Sequence, residues 1–308
     1  MNQHSNEQTR KIKLNSESTT NQEARKSSQG RAARSTGRKR LPCGGCGCLS
    51  FFFLIALLLY LIAPFGTQFL ILGIDRSPQN SMAGRSDTIM LVSVNPLLPT
   101  VKLLSIPRDL WVTIPGFGEN RINAAHFFAE AQEPNTGPDL ALETIKSSFG
   151  IDLRYYVRFN LEGFPEVVES MGGIRLNLPE PMAGLPAGPN QLDGTQALAF
   201  LRSRSDGDDF FRIQQGQIFV TAFIRQLLNP STWPRIPQIL SSFSRVGDTN
   251  LPVWLLPRLI LAFVRASFTG IETLSIDRSM VAPTVTSEGA QVLLPNWDLI
   301  LPYLGNNF

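Results

Sequence analysis

The chain has 308 residues and a formal net charge of +3, room for one large domain or two small ones with appendages. The charge is unevenly placed: the first 42 residues hold ten of the 28 Lys/Arg and only three of the 25 Asp/Glu. The remainder therefore carries 18 basic against 22 acidic residues, about −4, which argues against a basic nucleic-acid-binding body.

Residues 1–42 are polar, Ser/Gln/Asn/Arg-rich and nearly free of large apolar side chains, so the composition predicts a disordered basic tail. Arg38-Lys39-Arg40 then precedes an apolar run from Leu49 to Ala63, which Cys43–Cys48 and Pro64-Phe65 lengthen into a candidate anchor over 43–65. No small-x-small cleavage pattern follows, and Pro64 stands where a signal peptide would be cut, so an uncleaved anchor is favoured. The positive flank predicts a single-pass protein of the cell membrane, its tail cytoplasmic and its body extracytoplasmic. Cys43, Cys46 and Cys48 have no fourth ligand beside them, and read as small residues at the anchor's edge rather than a zinc site.

The body from 67 to 308 opens on strand signals at Phe69–Ile74, Thr88–Val94 and Val101–Ile106, the last two joined by a short Pro-containing turn that predicts a hairpin. Helices are predicted over Asn123–Ala131 and Asp139–Phe149, with Gly150 as the stop. Tyr155, Val157 and Phe159 alternate with Tyr156 and Arg158, the pattern of a half-buried strand. A short helix at Glu162–Met171, a strand at Ile174–Leu178 and a Pro/Gly-rich loop at 179–192 follow. Helices are expected from Gly194 to about Phe200, over Phe211–Leu228 and over 251–267, with a last strand at Glu272–Ile276. Strands alternating with helices indicate an α/β layered domain.

Asp75 and Asp87 each stand at the end of a strand run. If those strands are neighbours, both carboxylates meet at one sheet end and suit Mg²⁺ together with phosphate oxygens; the plainer reading is that they cap turns. Asp87 is also placed to take a proton from an attacking hydroxyl. Arg202 and Arg204, one residue apart, would point the same way in an extended segment and grip one anion together. Arg212 falls in the first turns of a helix, where backbone N–H groups already favour anions. Arg85, Arg108 and Arg121 extend the cationic set, with salt bridges to neighbouring acids as the plainer reading of each. No Gly-rich Lys-Ser/Thr loop is present, and the chain's two histidines, His4 and His126, exclude a multi-His metal site; His126 reads as a packed core residue.

These residues occur in an ordered series: GID, RSDT, SVNP, LLSIPRD, RINAAH, ALETIKSSFGI, YYVRFNLEGFPEVVESMGGI, LDGTQALAFLRSR and DDFFRIQQGQ. The series resembles the LytR-CpsA-Psr family over roughly residues 67–230. The resemblance implies an α/β/α sandwich around a mixed central sheet, with an apolar tunnel for a polyprenyl chain, preceded by one transmembrane helix. It implies a Mg²⁺-dependent phosphotransferase that moves a phosphoglycopolymer from a polyprenyl pyrophosphate carrier to peptidoglycan through a phosphodiester, releasing polyprenyl phosphate. By the same likeness Asp75 and Asp87 are metal-associated acids, and Asp87 and Arg108 catalytic. Arg85, Arg108, Arg121, Arg202, Arg204 and Arg212 bind the head group, with Asp109 beside them. One departure is present: where the family has a phosphate-holding Gln four residues after the last Arg, this chain has Gly216, leaving Gln215 or Gln217 to stand in. Alternative functions of the same site are a membrane-tethered lipid-binding regulator and a polyprenyl pyrophosphatase.

Overall fold

The computed structural model of the chain describes residues 44–62, 66–75, 82–95, 100–203 and 209–308, without the side chains of 44–49, 62 and 209. The tail expected at 1–42 lies outside the described residues. Helix α1 (Gly44–Ile62) precedes strands β1 (Thr67–Asp75), β2 (Arg85–Asn95) and β3 (Thr100–Ser105). A hairpin of β4 (Trp111–Ile114) and β5 (Gly118–Arg121) leads to helices α2 (Ala124–Gln132) and α3 (Gly137–Phe149). Next come β6 (Tyr155–Asn160), α4 (Phe164–Met171), the hairpin β7 (Ile174–Leu178) and β8 (Gly188–Leu192), and α5 (Gly194–Arg202). The long α6 (Asp209–Leu228) is followed by a 3₁₀ turn at Pro230–Arg235, α7 (Ile236–Val246) and the short β9 (Gly247–Thr249). A second 3₁₀ turn at Val253–Leu255 opens α8 (Leu256–Thr269). The chain closes with β10 (Ile271–Ser275), the hairpin β11 (Val281–Val285) and β12 (Gln291–Pro295), and α9 (Trp297–Asn307).

Side chains of α1 are described from Ser50 to Leu61, and among the described residues no helix is long and apolar enough to cross a membrane. The strands and helices expected from the sequence are present with small shifts at their ends. The expected 179–192 loop includes β8, and the helix expected at 251–267 begins only at Leu256 because Pro252 and a 3₁₀ turn occupy its first residues. The β4–β5 and β11–β12 hairpins were not expected, since β4 and β5 have only four residues each and Pro283 and Pro295 break the strand pattern of β11 and β12.

Six strands form one mixed sheet in the order β10-β3-β2-β1-β6-β9. β1 and β2 are antiparallel, as are β2 and β3, while β6 runs parallel to β1 and β10 parallel to β3. Alternation along the central strands divides their side chains between two faces. Leu70, Leu72 and Ile74 of β1, with Ile89 and Leu91 of β2, pack against Ala124 and Ala125 of α2, Leu142 and Ile145 of α3, and Ile300 and Leu304 of α9. Phe69, Met90, Val92 and Leu103 face the other way, against Leu259, Ala262 and Ala266 of α8. The result is a mixed sheet covered by helices on both faces, as the resemblance implied.

This topology gathers chemistry at one sheet edge. The ends of β1, β3, β6 and β10 and the beginning of β2 all lie there, so Asp75, Asp87, Arg108, Glu162 and Arg278 are carried to one side of the molecule. Open α/β sheets bind ligands outside the carboxyl ends of their strands for this reason.

Arg158 corrects the reading of β6 as apolar on one face and polar on the other. It is fully buried, the largest side chain so enclosed. Its guanidinium bridges Glu130 Oε2 at 2.7 Å and Asp248 Oδ2, whose Nε contact is 3.1 Å, and donates to Asn135 Oδ1 at 3.2 Å. Burial alone would lower its pKa; the Asp248 and Glu130 carboxylates outweigh that and raise it. His126 adjoins this network, buried as expected. Its Nδ1 lies 3.0 Å from the Gly84 carbonyl, which can only accept, so Nδ1 carries the proton and Nε2 accepts from Arg158 at 3.3 Å.

Burial holds the His126 imidazole neutral and lowers its pKa from 6.5 to about 4, against the opposing pull of the Gly84 carbonyl. Between those values the unfolded chain binds a proton that the folded chain refuses, so stability rises with pH across that window. Folding stability is expected to fall as pH is lowered from about 6.5 to 4. Urea midpoints at pH 7, 5.5 and 4.5 would check this, with His126→Gln flattening the His-dependent part of the slope.

Candidate active site

A β-bulge places the first catalytic candidate. Gly73 pairs with Thr88 while Ile74 pairs with Ser86, so Asp87 is the extra residue on β2 and has no partner on β1. Bulges re-aim side chains, and here the carboxylate turns toward the sheet edge. A Cβ on Gly73 would come within 3.0 Å of the Thr88 side chain, so this close crossing suits glycine. At the next register Asp75 stands directly opposite Arg85.

Both acids line one cleft of about 330 Å³ together with Arg85, Arg108, Asp109, Arg121, Asn123 and Phe127. Arg108, directly after Ile106-Pro107, brings Nη1 to 3.1 Å from Asp87 Oδ1 and Nε to 3.3 Å from Asp109 Oδ2. Arg121 reaches Asp109 Oδ1 at 3.2 Å and donates to the Gln291 carbonyl at 2.7 Å, so the β11–β12 hairpin braces it. Arg202 pairs with Asp75 through Nε at 2.9 Å, and its Nη2 lies 3.4 Å from Glu162.

The extended segment expected around Arg202 is corrected: Arg202 is the last residue of α5, a helix held at its start by a capping box. Asp193 Oδ1 accepts from the Gln196 N–H at 2.8 Å, and Gln196 Oε1 accepts from the Asp193 N–H at 3.0 Å. Arg204 lies outside the described residues. Arg212, one turn into α6, lines a notch of about 40 Å³ with Asp87, Ser105, Arg108 and Gly216. The described guanidiniums of the site, Arg85, Arg108, Arg121, Arg202 and Arg212, thus outnumber the carboxylates of Asp75, Asp87, Asp109 and Glu162 by one.

Gln215 does not join this set. It is buried, lines neither cleft nor notch, and neither amide atom has a hydrogen-bond partner. Helical geometry explains it: Arg212, Ile213 and Gly216 share the face of α6 toward the notch, and Gln215 is turned 100° from Gly216. Gln217 is engaged elsewhere, donating to the Leu274 carbonyl at 2.6 Å and to Ser105 Oγ at 3.1 Å.

The notch shares a wall with a second space. Thr88 and Gly216 line both it and an apolar cavity of about 240 Å³ walled by Phe69, Ile71, Val92, Phe159, Phe164, Phe219, Phe223 and Leu227. α7 contributes Phe243 and α8 contributes Phe263. A Cβ on Gly216 would meet nothing within 4 Å, so this glycine leaves open space between the charged and the apolar compartments. On the other side, a groove of about 790 Å³ lined by Phe210, Arg278, Thr284 and Gln291 shares Arg108, Asp109 and Arg121 with the cleft. The sequence had offered Gly216 only as a departure from a motif, and nothing singled out Thr88 or Arg278.

A charged notch that shares Thr88 and Gly216 with an apolar cavity is suited to an amphiphile with an anionic head. The LytR_cpsA_psr family model matches residues 65–296. The chain belongs to the LytR-CpsA-Psr family. It is similar to the polyisoprenyl-teichoic acid–peptidoglycan teichoic acid transferase TagU of Oceanobacillus iheyensis, at 33% identity over 215 residues covering 68% of this chain and 66% of that protein. It is likewise similar to the protein named "Probable cell wall biosynthesis protein LcpB" of Corynebacterium glutamicum, at 33% identity over 193 residues covering 58% of this chain and 44% of that one. The matched segment thus spans less than two thirds of either relative. The crystal structure of Bacillus subtilis TagV superposes with a TM-score of 0.62 at 26% identity, covering 78% of this chain and 96% of that chain. The family's central mixed sheet is therefore this chain's fold.

Among the described residues no three His, Cys, Asp or Glu side chains cluster as a metal site. Asp75 and Asp87 alone fit Mg²⁺ nonetheless, because that ion keeps several waters and takes one or two carboxylates with substrate phosphate oxygens.

Proposed function

We propose that the protein is a Mg²⁺-dependent phosphotransferase that moves a phosphoglycopolymer from a polyprenyl pyrophosphate carrier to cell-wall peptidoglycan. The observation that carries this reading is the wall at Thr88 and Gly216, shared by the notch that Asp87, Arg108 and Arg212 line and a phenylalanine-lined cavity. A lipid pyrophosphate has that division of character: two charged phosphates joined to an isoprenoid chain. Family membership and the activity in the name of the Oceanobacillus relative point the same way.

In this reading the isoprenoid occupies the apolar cavity, and Arg85, Arg108, Arg121, Arg202 and Arg212, with Arg204, hold the pyrophosphate. The acceptor sugar approaches along the groove beside Phe210 and Arg278. Its hydroxyl gives its proton to Asp87 as its oxygen bonds to the glycan-side phosphorus. The bond from that phosphorus to the bridging oxygen breaks, and polyprenyl phosphate leaves with the electron pair. Arginines placed before reaction stabilise the charge that gathers on the leaving oxygen. A bound Mg²⁺ at Asp75 and Asp87 would withdraw charge from the phosphate oxygens. No nucleotide is consumed, which suits an enzyme working outside the cytoplasm with the run at 43–65 as its membrane anchor.

The test is product analysis with the full chain, a polyprenyl pyrophosphate-linked glycan and Mg²⁺, with and without peptidoglycan. The expected result is polyprenyl phosphate release together with glycan bound to peptidoglycan through a phosphodiester, both lost on chelation. Free glycan phosphate in equal yield with or without acceptor would make the protein a pyrophosphatase. Tight lipid binding with no release would make it a regulator.

A further inference from the structure

The apolar lining of the cavity does not end inside the protein. In α7, Ile236, Leu240 and Phe243 fall at i, i+4 and i+7, on one helical face. Phe243 lines the cavity, whereas Ile236 and Leu240 are 38% and 62% exposed. In α8, Leu256, Ile260 and Phe263 repeat the spacing; Phe263 lines the same cavity, and Leu256 and Ile260 are 43% and 58% exposed. Each stripe therefore runs from the cavity wall out to the surface. At the heads of these helices Trp233 and Trp254 are more than half exposed. Isolated apolar residues on a surface are ordinary, but two stripes running out of one cavity, each with a tryptophan at its head, are not isolated.

Three observations say what covers them. From Phe210 to Ile271 the chain has one acid, Asp248, which is held by Arg158, while Arg225, Arg235, Arg245 and Arg265 lie along the same elements and Arg258 is buried. Arg225 and Arg235 are exposed there, and Arg245 pairs with Glu166. Tryptophan heads, aliphatic stripes and flanking guanidiniums are the composition of a surface that rests in the headgroup layer of an anionic bilayer. The patch is also continuous with the apolar helix at the start of the chain. The Tyr60 hydroxyl of α1 donates to the Trp254 carbonyl, and the Arg258 guanidinium lies 5.4 Å over the Tyr60 ring. Finally, the cavity that both stripes enter is suited to a lipid chain.

We propose that the exposed faces of α7 and α8, with Trp233 and Trp254, dock on an anionic membrane surface and set the apolar cavity open toward the acyl chains. A carrier lipid would then move into the cavity along the two stripes without its isoprenoid crossing water. This deepens the proposed transfer reaction, on which the lipid-delivery part rests; the docking itself does not depend on catalysis.

The experiment uses the full chain in phosphatidylglycerol/phosphatidylcholine vesicles whose acyl chains are brominated. Trp233 is the informative probe, because it lies on a different element from the segment that touches Tyr60. Its emission, taken as the difference between the chain and its Trp233→Phe variant, is expected to fall at least twofold in brominated vesicles. The Trp233→Phe/Trp254→Phe variant, which retains Trp111 and Trp297, is expected to be unaffected. The Leu240→Glu/Ile260→Glu variant is expected to lose about tenfold of its turnover of a long polyprenyl donor in vesicles while keeping its turnover of a short-chain, water-soluble donor. An unquenched Trp233, or equal loss on both donors, would overturn the docking. Quenching of Trp233 with no turnover of either donor by the unaltered chain would leave the docking standing and sink the transfer reaction.

Discussion

Asp87→Asn is expected to lower polyprenyl phosphate release by about 10²- to 10⁴-fold, the usual contribution of a positioned general base. The argument begins in the backbone. Because the register slips between Gly73 and Ile74, Asp87 has no cross-strand partner and turns out of the ladder to the sheet edge. There it meets Arg108 at 3.1 Å in a cleft shared with Asp75. Asparagine keeps the size and leaves the bulge undisturbed, but it can neither take a proton nor balance the Arg108 charge. Donor binding should therefore survive while chemistry is lost, a pattern that single-turnover rates and donor affinity measured side by side would display. A variant within a few-fold of the parent chain would remove Asp87 from the proton-accepting role and leave it as a partner for Arg108. The direct Arg108 contact also predicts that Asp87→Glu fails to restore the rate, since the extra methylene displaces the carboxylate from its place in the notch.

Arg158→Met is expected to destabilise the fold by about 3–5 kcal/mol, the cost of leaving a buried counter-charge unpaired. Arg158 joins three parts of the chain: its own strand β6, Glu130 of α2, and Asp248 of β9. Methionine fills much of the volume but strands Glu130, whose side chain is 5% exposed. The backbone N–H groups of Asn135 and Gly137, each 3.0 Å from a Glu130 oxygen, can satisfy that carboxylate only in part. Adding Glu130→Gln should recover a share of the loss, because it removes the orphaned charge. Urea unfolding of the single and double variants measures both effects. A loss under about 1 kcal/mol would mean the network carries little of the stability. The effect should reach the active site as well, since the His126 imidazole that leans on Arg158 also holds the Gly84 carbonyl, and Gly84 lines the cleft.

These two residues mark where reading the sequence succeeds and where it stops. Asp75 and Asp87 stood out as carboxylates at the ends of apolar strand runs, and Arg85, Arg108, Arg121, Arg202 and Arg212 as guanidiniums suited to phosphate beside such runs, although turn capping and salt bridges were the plainer readings of each. All of them lie in the cleft, at its notch, or paired to its acids. Arg158 carried no such mark. In a strand that alternates, a charged residue between apolar ones is read as facing water, and only the carboxylates brought by α2 and β9 reverse that expectation.

Local pattern thus determined the strands, the main helices and the charged residues at their ends, because periodicity and charge are properties of neighbours in the chain. Contacts between distant segments decided the rest: the slip that aims Asp87, the burial of Arg158, the turning of Gln215 away from the notch, and the shared wall at Thr88 and Gly216. The first two depend on how strands far apart in sequence are laid side by side, and the last two on how α6 is set against the sheet. A one-residue shift in that register, which leaves composition and periodicity untouched, would turn Asp87, Thr88 and Arg158 to another face.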